Sequence, residues 1–507
     1  MKPFSIIILL SAILSTMSFG QSDWPYAPVD QPDADGRIIT GRAGTHHWQK
    51  YMEDADLSTY HHAPEEAIEA FKDLKYGIRI HWGIYSIIHG QESWGLKHNN
   101  YSGIPELAYQ GFYHDLYKAW DPRGFDAEAW TDMMKENQFR FFVFTTKHHD
   151  GFSMYDTKTR ITKRTVFFGE HEGEVEECNL AYSIMETPFG RDVTGELIAS
   201  ARHKGLKIGL YFSNPDWYDA DFRFDQWNPN IDTSYTPESQ PESWARFEAR
   251  YREQIREILT NYGKVDMLSL DMWLPEFAWP FMQEMAQYAR SLQPDVMIRW
   301  RGIGNYGDYH TPENYIPGDE SQGTMAWQVI HTLSTRKIFS YEPDENYLRD
   351  GEWIVSRLID IVSKGGNLMI GVGPDLTGQW HPKVVEALEY AGDWLKVNGE
   401  AIFETRPCER TRDGNVFFTR SKDNKYTYAI STIWPGESLF LDGISVNEGS
   451  SIYMLGHSNP LEYRETRDGV EVFMPEKLRD PGSRPCKQAW VFNLNGRQTT
   501  ELIERAP

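Results

Sequence analysis

Cysteine is scarce: three in 507 residues, Cys178, Cys408 and Cys486, far too few for a disulfide scaffold, so an apolar core must hold the fold. Basic residues are also in deficit, 51 against 74 acidic ones for a net charge of −23. That sign disfavours a phosphate backbone or an anionic membrane, so neither a nucleic acid nor a membrane is expected as a partner. Beyond the first twenty residues no run approaches the ~20 apolar residues of a transmembrane helix. No internal repeat, low-complexity tract or HExxH pattern occurs, and the 40% apolar and 25% charged composition is that of a globular protein. Aromatics, by contrast, are abundant: 18 Trp, 27 Tyr and 26 Phe exceed what a core of this size requires. Flat faces in surplus suit a ligand that is stacked upon.

The chain opens with Lys2, the apolar stretch Phe4 to Leu14, and Ser18-Phe19-Gly20 before Gln21. This is the order of a secretory signal peptide spanning residues 1–20, which predicts a periplasmic or secreted protein. In such a compartment Cys408 and Cys486 are compatible either with a pair or with two unpaired thiols, and Cys178 is left over.

Residues 21–64, rich in Pro, Asp and His, read as an extended lead-in. Over 65–398 short β-rich runs alternate with amphipathic stretches, as in repeated βα units. The strand candidates are Gly77 to Trp82, Arg140 to Lys147, Lys207 to Ser213, Val265 to Asp271, Val296 to Arg301, Ile338 to Tyr341 and Asn367 to Val372. Seven strands separated by helical patterns such as Asp192 to His203 and Pro241 to Tyr262 predict an α/β fold, a TIM-like (β/α)8 barrel whose eighth strand is not distinct. Residues 399–507 change to short alternating runs punctuated by Asp413-Gly414, Asp442-Gly443, Asp468-Gly469 and Asn495-Gly496, hairpin signals that predict a C-terminal antiparallel β-sandwich.

In such a barrel, chemistry belongs at the C-terminal ends of the strands. Four ends carry polar groups: His81 beside Trp82; His148-His149-Asp150; Asp271 closing Val265 to Asp271; and Arg299-Trp300-Arg301, followed by Glu313 in Thr311-Pro312-Glu313. Taken singly, a strand-end histidine is more often a satisfied core residue, and an acidic loop residue a solvated one. Together, Asp271 and Glu313 supply the two carboxylates that glycosidic bond cleavage requires. Trp82, Trp94, Trp217, Trp273 and Trp300 lie at or after strand ends, where indole faces pack on sugar C–H faces.

These residues resemble the retaining α-L-fucosidases of glycoside hydrolase family 29, through Tyr76 to Ser86, Phe141 to Phe152, Gly205 to Tyr218, Leu259 to Asp271 and Lys364 to Pro374. The resemblance implies Asp271 as nucleophile and Glu313 as general acid/base. It also places His81, Glu92, Trp94, His148, His149, Tyr211 and Arg301 around the sugar, with no metal and no cofactor. Three positions depart from the family pattern. Met272 follows the nucleophile where glycine is common, Trp300 precedes the arginine where a small polar or acidic residue is common, and Gly371 replaces a common Asn. The expectation is an exo-acting hydrolase releasing terminal α-L-fucose from an oligosaccharide or polysaccharide. The alternatives are an α-L-galactosidase of the same mechanism, a non-catalytic glycan-binding protein, and a metal-dependent hydrolase using the histidine pair.

Overall fold

A computed structural model describes residues 55–88, 92–96, 113, 115–166, 173–225, 227–316, 325–447, 449–494 and 496–498. The signal peptide expected over 1–20 and most of the expected lead-in over 21–64 lie outside the described residues. Eight parallel strands form the first body: β1 (Tyr76–Ile80), β2 (Phe141–Lys147), β5 (Lys207–Ser213), β6 (Met267–Asp271), β7 (Met297–Ile298), β8 (Tyr309–His310), β9 (Ala326–Thr332) and β10 (Asn367–Val372). Their order is β7-β6-β5-β2-β1-β10-β9-β8, and a parallel bridge between Arg299 and Tyr309 brings the two outer strands together, nearly closing the barrel. Between β2 and β5 the chain makes an antiparallel excursion, β3 (Ile161–Thr165) with β4 (Val175–Leu180).

Side-chain alternation sorts the barrel residues. Ile78, Ile80, Phe142, Phe144, Ile208 and Leu210 face the surrounding helices, whereas Phe141, Val143, Tyr211, Met267, Met297 and Met369 face the barrel axis. Both faces are covered, so the strands read as near-continuous apolar runs. The helix Glu65–Asp73 stoppers the N-terminal end, with Phe71, Ile68 and Leu74 against the inward residues at the strand starts. The opposite end is left for chemistry.

Two strand expectations require correction. Ile338 to Tyr341 is not a strand: the N–H groups of Phe339 and Ser340 are committed to Glu92 Oε1, at 2.8 and 2.6 Å, and are lost to any ladder. The strand of that βα unit is β9, with β8 as the one that sequence left indistinct. Val296 to Arg301 forms a ladder only over β7, because Asp308 Oδ2 accepts the Ile298 N–H at 2.7 Å in place of a neighbouring strand.

After the helix Pro382–Asn398 the chain builds a five-stranded antiparallel sheet: β11 (Thr405–Asp413), β12 (Val416–Ser421), β13 (Thr427–Ser431), β16 (Ile452–Met454) and β19 (Trp490–Leu494). One face, with Phe417, Tyr428, Ile430 and Val491, joins the barrel core. The other, with Phe418, Ala429, Phe492 and Leu494, packs on a second sheet of β14 (Ser438–Asp442), β17 (Tyr463–Glu465) and β18 (Gly469–Phe473). Asp413-Gly414 and Asp468-Gly469 turn between paired strands, as predicted. Asp442-Gly443 does not: β14 pairs with β18, and β15 (Ile444–Val446) pairs with β20 (Gly496–Gln498). All three cysteines are free.

Candidate active site

The C-terminal ends of β1, β2, β5, β6 and β7 and the segment after β8 converge. Asp271, last residue of β6, points inward, with a side chain only 9% exposed. Its Oδ2 accepts the Tyr211 hydroxyl proton at 2.6 Å, and its Oδ1 lies 3.2 Å from Arg299 Nη1 and 3.1 Å from Arg301 Nη1. Glu313 is held beside β9 by a bridge to Ile330. Its Oε1 lies 3.0 Å from Arg299 Nη2 and 2.9 Å from Arg301 Nη1, and its side chain is 27% exposed. One guanidinium nitrogen, Arg301 Nη1, therefore touches both carboxylates, so the nearest carboxylate oxygens are within about 6 Å of each other. That separation is below the roughly 6.5–9.5 Å of inverting pairs and close to the about 5–5.5 Å of retaining ones.

Burial works to raise the Asp271 pKa, but Arg299 and Arg301, followed by His149 and Arg79, outweigh it and hold the carboxyl well below the ordinary range. Glu313 is lowered in the same way: burial is overcome by Arg301 and Arg299, against the opposing charge of Asp271. Tyr211 shifts the other way, kept a protonated donor by burial and by the Asp271 charge.

A wall of neutral imidazoles faces this pair. His81, at the end of β1, is 5.8 Å from His148 and from Tyr211 between ring centroids, and His148 stacks with Tyr211 at 5.7 Å. His148 Nδ1 bonds Ser93 Oγ at 2.6 Å and His149 Nδ1 bonds Ser213 Oγ. Burial pushes all three histidines down, His149 to about 4. The uncharged rings of His148 and His149, each anchored through Nδ1, are suited to hydrogen-bonding sugar hydroxyls with the other nitrogen.

The aromatic group divides. Trp94 borders His149 at 5.2 Å and remains half-buried at the site. Trp217 supports both from behind, its indole N–H donating to Asp225 Oδ2 at 2.8 Å. Trp82 is core: it faces away from the barrel axis among Trp120, Phe125 and Trp130 and donates to the Asp375 carbonyl at 2.9 Å. Trp273 and Trp300 meet edge to face at 4.8 Å in a separate small apolar cluster with Met325. Glu92 is fully buried, one oxygen accepting from the Phe339 and Ser340 N–H groups; burial raises its pKa to about 7. The Phe339 ring lies 5.1 Å from His81.

Sequence reading gave no role to Arg79, Ser93 or Ser213, and named Arg299 only as part of a polar strand end. Strand alternation carried a signal for the two arginines: Arg79 shares the inner face with His81, and Arg299 shares it with Arg301. Two of the departures in sequence now have structural meaning. Met272 has φ +73°, the left-handed region that favours glycine, so strain sits directly after Asp271. A Cβ on Gly371 would come within 2.9 Å of the Phe339 ring, so glycine there makes room for the phenyl beside His81.

The α-L-fucosidase family model matches residues 44–400, and the α-L-fucosidase C-terminal domain model matches 409–495. The chain is 27% identical to the plasma α-L-fucosidase of Homo sapiens over 451 residues, covering 84% of this chain and 89% of that one. It is 26% identical to an α-L-fucosidase of Branchiostoma floridae over 455 residues, covering 84% and 92%. Among solved structures, a trapped covalent intermediate of a Bacteroides thetaiotaomicron GH29 α-L-fucosidase superposes with a TM-score of 0.71 at 22% identity, covering 88% of this chain and 99% of that one. The Paenibacillus thiaminolyticus isoenzyme 1 gives 0.69 at 23% identity, covering 85% and 99%.

Proposed function

From the premise that this chain belongs to the α-L-fucosidase family and is a glycoside hydrolase, we propose that it releases terminal α-L-fucose from glycans with retention of configuration. The observation that carries this reading is the carboxylate pair bridged by one guanidinium nitrogen, too close for an intervening water to be activated in an inverting reaction. Asp271 attacks the anomeric carbon as the glycosidic C–O bond breaks, and Glu313 gives its proton to the departing oxygen. In the second half, water bonds to the anomeric carbon, its proton passes to Glu313, and the electron pair of the sugar ester returns to Asp271. With two arginines on it, Glu313 is anionic in the free site, the form needed in the second half. For the first half it takes up a proton as the substrate enters beside Arg301.

The Phe339 ring next to His81 offers an apolar wall suited to the C6 methyl of fucose. An apolar wall rejects an added hydroxyl weakly, by about a hundredfold, so aryl α-L-fucoside and α-L-galactoside are to be compared directly. Higher kcat/KM on the fucoside is expected, and the reverse order would replace this reading with α-L-galactosidase. Asp271→Ala is expected to cut kcat at least 10⁴-fold, by about the amount known for removing a covalent nucleophile, while sugar binding persists. Binding without turnover in the unmodified protein would instead support the lectin alternative. Release of the α-anomer first, followed by NMR, tests retention. The opening twenty residues support export, in keeping with an extracellular or periplasmic glycan.

A further inference from the structure

Arg79 is an unusual residue for the middle of a barrel. It lies on β1 one inward position below His81, is 2% exposed, and among the described residues neither its Nε nor its Nη1 has a hydrogen-bond acceptor. A buried guanidinium without a paired carboxylate is costly unless something else compensates. What it does contact is the ring of Tyr211, with Cζ 4.2 Å from the centroid. The hydroxyl of that ring donates to Asp271 Oδ2 at 2.6 Å. The stack is therefore Arg79, Tyr211, Asp271, running up the barrel axis into the catalytic carboxylate. A cation on the face of a phenol withdraws electron density from the ring and makes its O–H a stronger donor.

We propose that Arg79 is a positioning residue for the hydrolysis of the glycosyl-enzyme, acting through Tyr211 to make Asp271 a better leaving group. The inference rests on the reading of Asp271 as nucleophile. In the second half-reaction the bond from the anomeric carbon to the Asp271 oxygen breaks and its electron pair returns to the carboxylate, while water supplies the new C–O bond and its proton goes to Glu313. The returning negative charge is stabilised by the Tyr211 hydroxyl on Oδ2 and by Arg299 and Arg301 on Oδ1. In the first half-reaction the same groups stabilise the attacking anion about as much as the transition state and give no acceleration, so Arg79 favours the second half alone. The groups that face Asp271 are His81 and Arg79 from β1, His148 and His149 after β2, Tyr211 from β5, Arg299 and Arg301 after β7, and Glu313 after β8. Arg79 adds to its direct charge on Asp271 a stack on the Tyr211 ring, which the other cations do not make among the described residues.

The test uses the full chain, an aryl glycoside with a good leaving group, and Arg79→Met. Deglycosylation is expected to slow, so kcat and KM fall together by about tenfold with kcat/KM at the optimum nearly unchanged, and a pre-steady-state burst of aryl alcohol appears. The acid limb of kcat/KM moves to higher pH by about one unit. Arg79→Lys, which keeps the charge, recovers part of both effects. In a Tyr211→Phe background, which keeps the ring and removes the hydroxyl, Arg79→Met changes kcat less than it does alone. Should Arg79→Met not fold, Arg79→Gln, planar and uncharged, carries the same readouts. A folded variant with the parental acid limb and no parallel fall of kcat and KM overturns the proposal. Asp271→Ala that still turns over overturns instead the nucleophile assignment beneath it.

Discussion

Glu313 illustrates how much a single side chain depends on its partners. Arg301 and Arg299 lower its pKa, so the protonated form that the proposed acid role requires is a minority in the free protein and shrinks as pH rises. The expected consequence is a kcat/KM that declines with rising pH. Glu313→Ala, assayed on a substrate whose leaving group needs no proton, should flatten that decline, and a decline of the same slope in the variant would remove Glu313 from the role. The sequence identified this carboxylate only as an acidic residue following Arg299-Trp300-Arg301. That both arginines reach it and Asp271 at once, at 2.9 to 3.2 Å, depends on β7 and β8 being neighbours, which no local pattern encodes. Asp271 was more legible, because a buried apolar strand ending in a carboxylate is itself a local pattern.

At the level of elements, the site depends on the turns that leave the strands. Gly302 follows Arg301 with φ +84°, and a Cβ there would come within 2.4 Å of Asn214 Nδ2 and 2.6 Å of the Met272 carbonyl. Asn214 Nδ2 itself donates to that carbonyl at 2.6 Å, so the exits of β5, β6 and β7 are locked together at one point. Gly302→Ala is expected to cost about 1–2 kcal/mol through backbone strain, measurable by denaturant unfolding. It should also lower kcat by roughly tenfold or more by shifting Arg301 and Asp271; an unchanged kcat would show that the lock does not position the carboxylates. Long elements were readable from periodicity: the helix Pro241–Thr260 begins at the predicted residue, its proline at the first helical position. The two-residue strands β7 and β8 were not, because a strand that short has no period to detect, and the loop Ile338 to Tyr341 has strand-like residues whose N–H groups serve Glu92 instead.

Over the whole molecule, the stoppered end of the barrel and the C-terminal sheets meet across an ion cluster. Arg406 on β11 pairs with Glu69 and, at 2.7 Å, with Asp73 of the stopper helix, and Lys422 reaches Asp73 at 2.7 Å. Lys75, fully buried beside this cluster, has no hydrogen-bond partner for its Nζ among the described residues, and burial followed by the Arg406 charge lowers its pKa to about 7. Between pH 7 and about 10.5 the unfolded chain holds a proton on Lys75 that the folded chain lacks, so the native protein gains stability from this group as pH rises and bears the full penalty below pH 7. Lys75→Met removes that dependence. The variant should be more stable below pH 7 by on the order of a few kcal/mol, with the advantage vanishing near pH 10; a constant difference across that range would show that Lys75 is not the titrating group. The sequence by itself determined the parallel barrel, the antiparallel sheets after it and the strand ends that bear chemistry, because hydrophobic period and turn residues are local properties of the chain. Only the tertiary structure decided which charges share a centre, which tryptophans are core, and that a buried arginine lies beneath Asp271, because those depend on distances between strands far apart in sequence.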